Sequence, residues 1–246
     1  MEEKLKTSCR ACPLRQCEAF LPMTEDEIRF MERFKKGELS VARGATILSE
    51  GEPSGQLYTV LSGLGLRHKT LENGQRQVLN LIFPGDFLGL QAGLMGEMGH
   101  SVEAVTPMVL CVFDRSGLWS LFQNNPSRAY DLTWIAAVEE HFLGETVATI
   151  GQRDASAALA WAFLRIFRRG ESLGLVTDGK MSLPYRQQDM ADALGLSLVH
   201  TNKRLQRFRA AGLMDWSRGV LHIPDRKALA ELANLEDKPA EKRPIL

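Results

Sequence analysis

Two kinds of pattern divide the chain. Over residues 40–115, brief apolar runs are cut by glycine, proline and asparagine, as in "GATILSEGEPSGQLYTVLSGLGLRHKTLENGQRQVLNLIFPGDFLGL". Runs this short and this often interrupted predict strands joined by tight turns. The "ENGQ" at 72–75 is a hairpin signal, because Asn-Gly readily takes the positive φ of a tight turn. The glycines of "PGDFLGL" read as turn residues. Many short strands at close spacing predict a barrel or a double-sheet roll.

After Asn125-Pro126 the period changes. "SRAYDLTWIAAVEEHFLGETVATIGQRDASAALAWAFLRIFRR" contains no proline and has helical spacing. Leu132, Ile135, Phe142, Thr146 and Thr149 fall on one face at spacings of 3, 4 and 7, a seam suited to a dimer interface. A helix lying on the strand domain is the alternative. From 186 to 214, "RQQDMADALGLSLVHTNKRLQRFRAAGLM" reads as helix, turn, helix. Met190, Ala191 and Leu194 form the inner side of the first helix, and Gly195 suits a left-handed C-cap. Ser197 is placed to cap the second helix. Leu198, Thr201, Leu205 and Phe208 are its inward face. Val199, His200, Asn202, Lys203, Gln206 and Arg207 face outward. "DWSRGVLHIPD" supplies a small hairpin, the wing.

These patterns divide the chain into a cysteine-rich segment (1–21), a β-roll (22–124), a long helix (125–152), a winged helix-turn-helix (153–235) and a charged, Pro-containing tail (236–246) expected to be disordered. No stretch approaches the run of about 18 apolar residues that a membrane helix needs. "MEEKLKTSCR" lacks the apolar core of a secretory signal, so a cytoplasmic location is expected. The 246 residues carry no formal net charge, yet residues 155–233 hold 12 basic against 7 acidic side chains. That local excess points to a region that meets phosphates.

The four cysteines raise a separate question. Cys9, Cys12 and Cys17 lie in "SCRACPLRQCEAF", and Cys111 lies in "PMVLCVFDRSG". In a cytoplasmic protein clustered cysteines bind metal or respond to redox state more often than they pair. An iron–sulfur cluster, zinc and thiol oxidation all suit such a set. Arg10 and Arg15 would lower the thiol pKa values. Cys111 alone also reads as a buried strand residue.

In order and spacing, "PGDFLGL", the long helix and "QQDMADALGLSLVHTNKRLQRFRAAGLM" resemble the CRP/FNR family of bacterial transcription regulators, from Cys9 to about Leu235. The resemblance implies an α+β fold with an N-terminal cyclic-nucleotide-binding-like β-roll, a long dimerisation helix and a C-terminal winged helix-turn-helix. It also implies a homodimer on a palindromic double-stranded DNA operator, with RNA polymerase as a further partner. The cyclic-AMP branch holds its nucleotide with an Arg-Ser pair and a Glu. Here "GEMGHSVEAVTP" places Met98 and Gly99 at the Arg and Ser positions, so no cyclic nucleotide is expected. Glu97 and His100 then read as a polar surface loop.

The FNR branch carries an N-terminal cysteine cluster and one remote cysteine. By that resemblance Cys9, Cys12, Cys17 and Cys111 would hold an oxygen-sensitive [4Fe–4S] cluster. The C-x2-C-x4-C spacing has a shorter second gap than family members commonly show. A small molecule or haem in the β-roll is the competing effector, with His68 or His100 as ligands. The family's base-reading positions fall on Val199, Asn202 and Lys203. His200, Arg204 and Arg207 would meet phosphates, and Ser197 opens the same DNA-facing helix. No paired carboxylates, nucleophile elbow or phosphate loop suggests an enzyme.

Overall fold

A computed structural model describes residues 7–246; the first six residues of the cysteine-rich segment lie outside it. The chain divides into two compact units. The first takes in the chain up to Gly74, Leu79–Glu139 and Lys242–Leu246, and the second Gln75–Val78 and Glu140–Glu241.

In the first unit, two short 3-10 turns (Cys9–Ala11 and Pro13–Gln16) precede α1 (Glu25–Phe34). Thr24 and Glu27 cap α1 reciprocally: Glu27 N donates to Thr24 Oγ1 at 3.3 Å and Thr24 N to Glu27 Oε2 at 2.8 Å. The strands are β1 (Lys35–Val41), β2 (Thr46–Leu48), β3 (Gln56–Ser62), β4 (Gly65–Thr70), β5 (Arg76–Ile82, of which residues 76–78 fall in the second unit) and β6 (Phe87–Leu88). After α2 (Leu90–Met95) come β7 (Ser101–Ala104), β8 (Met108–Asp114) and α3 (Leu118–Asn124).

The strands form two four-stranded sheets, ordered β1-β8-β3-β6 and β2-β7-β4-β5. Tyr58, Val60, Leu88, Met108, Leu110 and Val112 of the first share one core with Leu48, Ile82, Val102 and Ala104 of the second. This is the expected double-sheet roll. The hairpin expected at "ENGQ" joins β4 to β5, with Gly74 at φ +80°.

The long helix α4 (Pro126–Gln152) runs through both units. In the second unit it is followed by α5 (Ala155–Ser172), β9 (Val176–Thr177), β10 (Lys180–Ser182), α6 (Gln187–Leu194), α7 (Leu198–Ala210), β11 (Asp215–Ser217), β12 (Val220–His222) and α8 (Arg226–Leu232). Asp154 starts α5 by accepting from Ser156 N at 2.7 Å and Ala157 N at 3.0 Å. Phe163 of α5 is fully buried against Trp216, ring centroids 5.2 Å apart, and the Trp216 indole donates to Leu183 O at 3.0 Å.

The tail corrects the expectation of disorder. Asp237 pairs with Arg168 and Arg226, and Arg243, Ile245 and Leu246 are buried in the first unit. The charged stretch "EDKPAEK" suggested disorder, but the closing apolar pair has a place to bury and Arg243 has a carboxylate partner in Asp86.

Gly85 of "PGDFLGL" sits at φ +85°, and a Cβ there would run into the Phe20 ring. Gly85→Ala therefore combines left-handed strain with a clash and should lower unfolding free energy by at least about 1–2 kcal/mol in denaturant titration. An unchanged midpoint would contradict this.

Candidate functional site

In the first unit the cysteines surround a common space. Cys111 lies on β8, with Glu38 of β1 and Thr59 of β3 as its cross-strand neighbours. The turns at 9–16 bring Cys9 and Cys12 to the same face. Cys9, Cys12 and Cys111 line one cavity of about 30 Å³, together with Lys35, Met31, Phe113 and Leu246. Cys17 does not line it; its thiol donates to Pro13 O at 3.8 Å. Among the described residues, no three His, Cys, Asp or Glu side chains form a ready-made metal site.

The expected lowering of the thiols by the arginines is outweighed: Arg15 acts to lower Cys9, but burial raises it more. Arg10 is engaged with Glu25 at 2.6 Å and Arg15 donates to Arg10 O at 2.8 Å. Burial dominates instead and raises Cys9, Cys17 and Cys111, the last to about 11. The cation opposing that rise most at Cys9 and Cys111 is Lys35, whose ammonium hydrogen-bonds the Cys111 thiol. Its Nζ also donates to Glu38 Oε1 at 2.6 Å and Thr7 O at 2.7 Å. The sequence reading missed Lys35; its only signal was its place at the junction of a helix and a strand.

The loop expected to be a polar surface is half right. Glu97 is exposed, whereas His100 is buried. Burial, helped by the Arg67 cation, lowers His100 to about 4; Lys69 and His68 act the same way and Glu50 opposes. His68 lies 4.0 Å from Glu103. Met98 packs wholly in the roll's core, and Gly99 N donates to Gln91 Oε1 at 3.0 Å.

In the second unit, α6 ends at Gly195 with φ +64°, and Ser197 Oγ accepts from His200 N at 3.2 Å to cap α7. The cap aims the start of α7 outward. Val199, His200, Lys203 and Arg207 are exposed, with Val199 at 65%. Arg204 is half-buried and its Nε donates to His200 Nε2 at 3.1 Å. Asn202 is half-buried, and its Oδ1 is shielded without a hydrogen-bond partner. The bidentate adenine contact expected of it requires the side chain to turn. Thr201, Leu205 and Phe208 are buried as expected, but Leu198 is exposed. Arg218 at the turn of the β11–β12 wing is exposed, with φ +51°. The Arg-Gly step before β12 was the available signal for that tip.

The dimer seam expected on α4 is on its inner side. Leu132, Ile135 and Thr149 are 2%, 3% and 1% exposed within the single chain. Phe142 stacks on Trp161 beneath the Arg165 guanidinium, and Thr146 Oγ1 donates to Phe142 O at 2.8 Å. The exposed apolar positions are Leu143, Val147 and Ile150, at 44%, 71% and 43%. Spacing identified which residues share a face, but not which face points inward.

A β-roll, a long helix and a winged helix-turn-helix with a basic exposed helix define a DNA-binding regulator. Residues 38–125 match the cyclic nucleotide-binding domain and residues 157–232 the Crp-like helix-turn-helix domain. The chain is 26% identical over 209 residues to the transcriptional activator protein FnrL of Cereibacter sphaeroides, covering 84% of this chain and 83% of that protein. It is 25% identical over 225 residues to the nitrogen fixation regulation protein FixK of Bradyrhizobium diazoefficiens, covering 92% and 93%. The solved structure of FixK2 from Bradyrhizobium japonicum matches with a TM-score of 0.72 and 26% identity, covering 79% of this chain and 96% of that one.

The chain belongs to the CRP/FNR family. It is a DNA-binding transcription regulator, not an enzyme. Among the described residues no helix is long and apolar enough to cross a membrane.

His100 generates a pH prediction. Its folded pKa lies below the unfolded value, so the stability it contributes is complete above about pH 6.5 and is lost as pH falls toward 4. His100→Gln should remove up to about 3 kcal/mol of that decline, read from denaturant midpoints near pH 7.5 and pH 4.5. An identical pH slope in the variant would contradict the assignment.

Proposed function

We propose that this regulator is a cytoplasmic homodimer that senses oxygen or redox state through a [4Fe–4S] cluster held by Cys9, Cys12, Cys17 and Cys111. One observation carries the reading: Cys111 lines a single cavity with Cys9 and Cys12, although about a hundred residues separate them. The donor chemistry fits, since a cubane cluster takes four thiolates. Lys35 supplies a buried positive charge beside an anionic centre. When bound, the cluster would supply an iron–sulfide core that oxygen can oxidise, with the cysteine thiolates as its anchors. The cavity is small and Cys17 lies outside it, so direct oxidation of the thiols is the second reading. No cyclic nucleotide is expected, because the buried Met98 and backbone-only Gly99 offer a phosphate no guanidinium.

The dimer would form along α4, where Leu143, Val147 and Ile150 recur at spacings of 4 and 3 on its exposed side. Two α7 helices would then read successive major grooves of a palindromic operator. In that reading Val199 meets a thymine methyl and Lys203 a guanine edge, and His200, Arg204 and Arg207 meet phosphates. Ser197 serves as the cap that orients them. RNA polymerase is the further partner.

Anaerobic purification with iron and sulfide assays tests the cluster. A brown protein containing iron and sulfide that bleaches in air is expected. A colourless, iron-free protein after attempted reconstitution would overturn the reading, and bound zinc would show no bleaching. For DNA, Lys203→Ala should weaken operator binding and relax one base preference by about 1–3 kcal/mol. An equal loss on all sequences would make Lys203 a phosphate contact only.

A further inference from the structure

Residues 242–246 rejoin the first unit after the winged helix-turn-helix. They are held there from several directions. Arg243 N donates to Ala19 O and Leu21 N donates to Arg243 O, both at 2.9 Å, forming a short parallel bridge beside Phe20. The Arg243 guanidinium lies 3.2 Å from Asp86, and both side chains are buried. Asp86 is itself fixed, because Phe83 N donates to its Oδ2 at 2.8 Å. Arg128 Nη1 donates to Ile245 O at 3.2 Å, and the Thr59 hydroxyl donates to Leu246 O at 2.5 Å.

These contacts place Ile245 and Leu246 in the wall of the cavity lined by Cys9, Cys12 and Cys111. The link to Cys111 is close. Thr59 is its direct partner across β3 and β8, so the residue holding Leu246 shares a face with the thiol. This part of the wall is a short peptide, whereas strand residues such as Thr59, Cys111 and Phe113 line the rest, and one of the peptide's anchors is the buried Arg243–Asp86 ion pair. Removing one member of such a pair leaves the other charge buried without compensation. Loss of that anchor would loosen the segment without breaking the β1–β8 and β3–β8 ladders.

We propose that Arg243–Leu246 is a clasp that closes the thiol cavity and limits access of oxidants and other small thiol-reactive molecules to Cys111. Closed, it keeps Cys111 covered and slow to react. Open, it exposes the thiol while leaving β8 in place. The clasp rests on the cavity's geometry and holds whether the cysteines carry a cluster or not.

The test uses the full chain, reduced and metal-free under argon. It is pulsed with iodoacetamide, and alkylation is followed at each cysteine by peptide mass spectrometry. Cys17, outside the cavity, is the internal reference. In Arg243→Ala, Cys111 alkylation should rise about ten-fold, the ratio that about 1.4 kcal/mol represents, while Cys17 stays unchanged. Arg243→Lys should restore part of the protection. An unchanged Cys111 rate in folded Arg243→Ala, or an equal rise at both cysteines, would overturn the clasp. Should Arg243→Ala fail to fold, Thr59→Val removes the bond to Leu246 O at nearly constant side-chain volume. It is then expected to raise the Cys111 rate at least about two-fold over Cys17, and no rise would overturn the proposal equally.

Discussion

The first unit depends on the two-sided alternation of β8. This strand is paired on both edges, by β1 and β3, so its register cannot slip without breaking both ladders. Met108, Leu110 and Val112 point into the core between the sheets. Cys111 and Phe113 point the other way, where Phe113 stacks on Phe34 of α1 with ring centroids 5.0 Å apart. A one-residue slip would bring Cys111 into the core and expose its apolar neighbours. The same packing that holds the roll together fixes the remote thiol against α1, the 9–16 turns and residues 243–246.

Burial at that position has a chemical consequence. It removes water from the thiols faster than nearby cations compensate, and this holds Cys111 in its neutral form in the metal-free protein. Lys35 supplies the opposing charge while remaining tied to Glu38. The second unit solves a different problem, presenting a basic surface from a helix whose other side is core. Ser197 and Gly195 set where α7 begins, and Thr201, Leu205 and Phe208 fix its rotation. What remains exposed is Val199, His200, Lys203 and Arg207.

Much of this was legible in the sequence where local chemistry decides structure. The Asn-Gly hairpin, the Gly195 cap, the Ser197 cap and the buried triad of α7 follow from short-range rules. Four features were not legible, each for a physical reason. Helical spacing on α4 groups Leu132 with Ile135, but only the tertiary fold decides that this face is buried within the chain. The tail reads as disordered because composition counts its charges, whereas Arg243 finds Asp86 more than 150 residues away in sequence. Lys35 stands in no motif, and its role exists only because α1 and β1 deliver it beside Cys111. His100 likewise sits in a polar stretch and is buried by strands that the local sequence does not contain.

The central claim is that Cys111 faces Cys9 and Cys12 across one cavity. Its most direct test is a short thiol–thiol crosslinker that fluoresces only when both ends have reacted. It is carried to completion on the reduced, metal-free full chain and mapped by mass spectrometry. The account predicts fluorescence and a peptide joining Cys111 to Cys9 or Cys12. Crosslinks confined to Cys9, Cys12 and Cys17, with Cys111 carrying only a one-ended adduct, would contradict it.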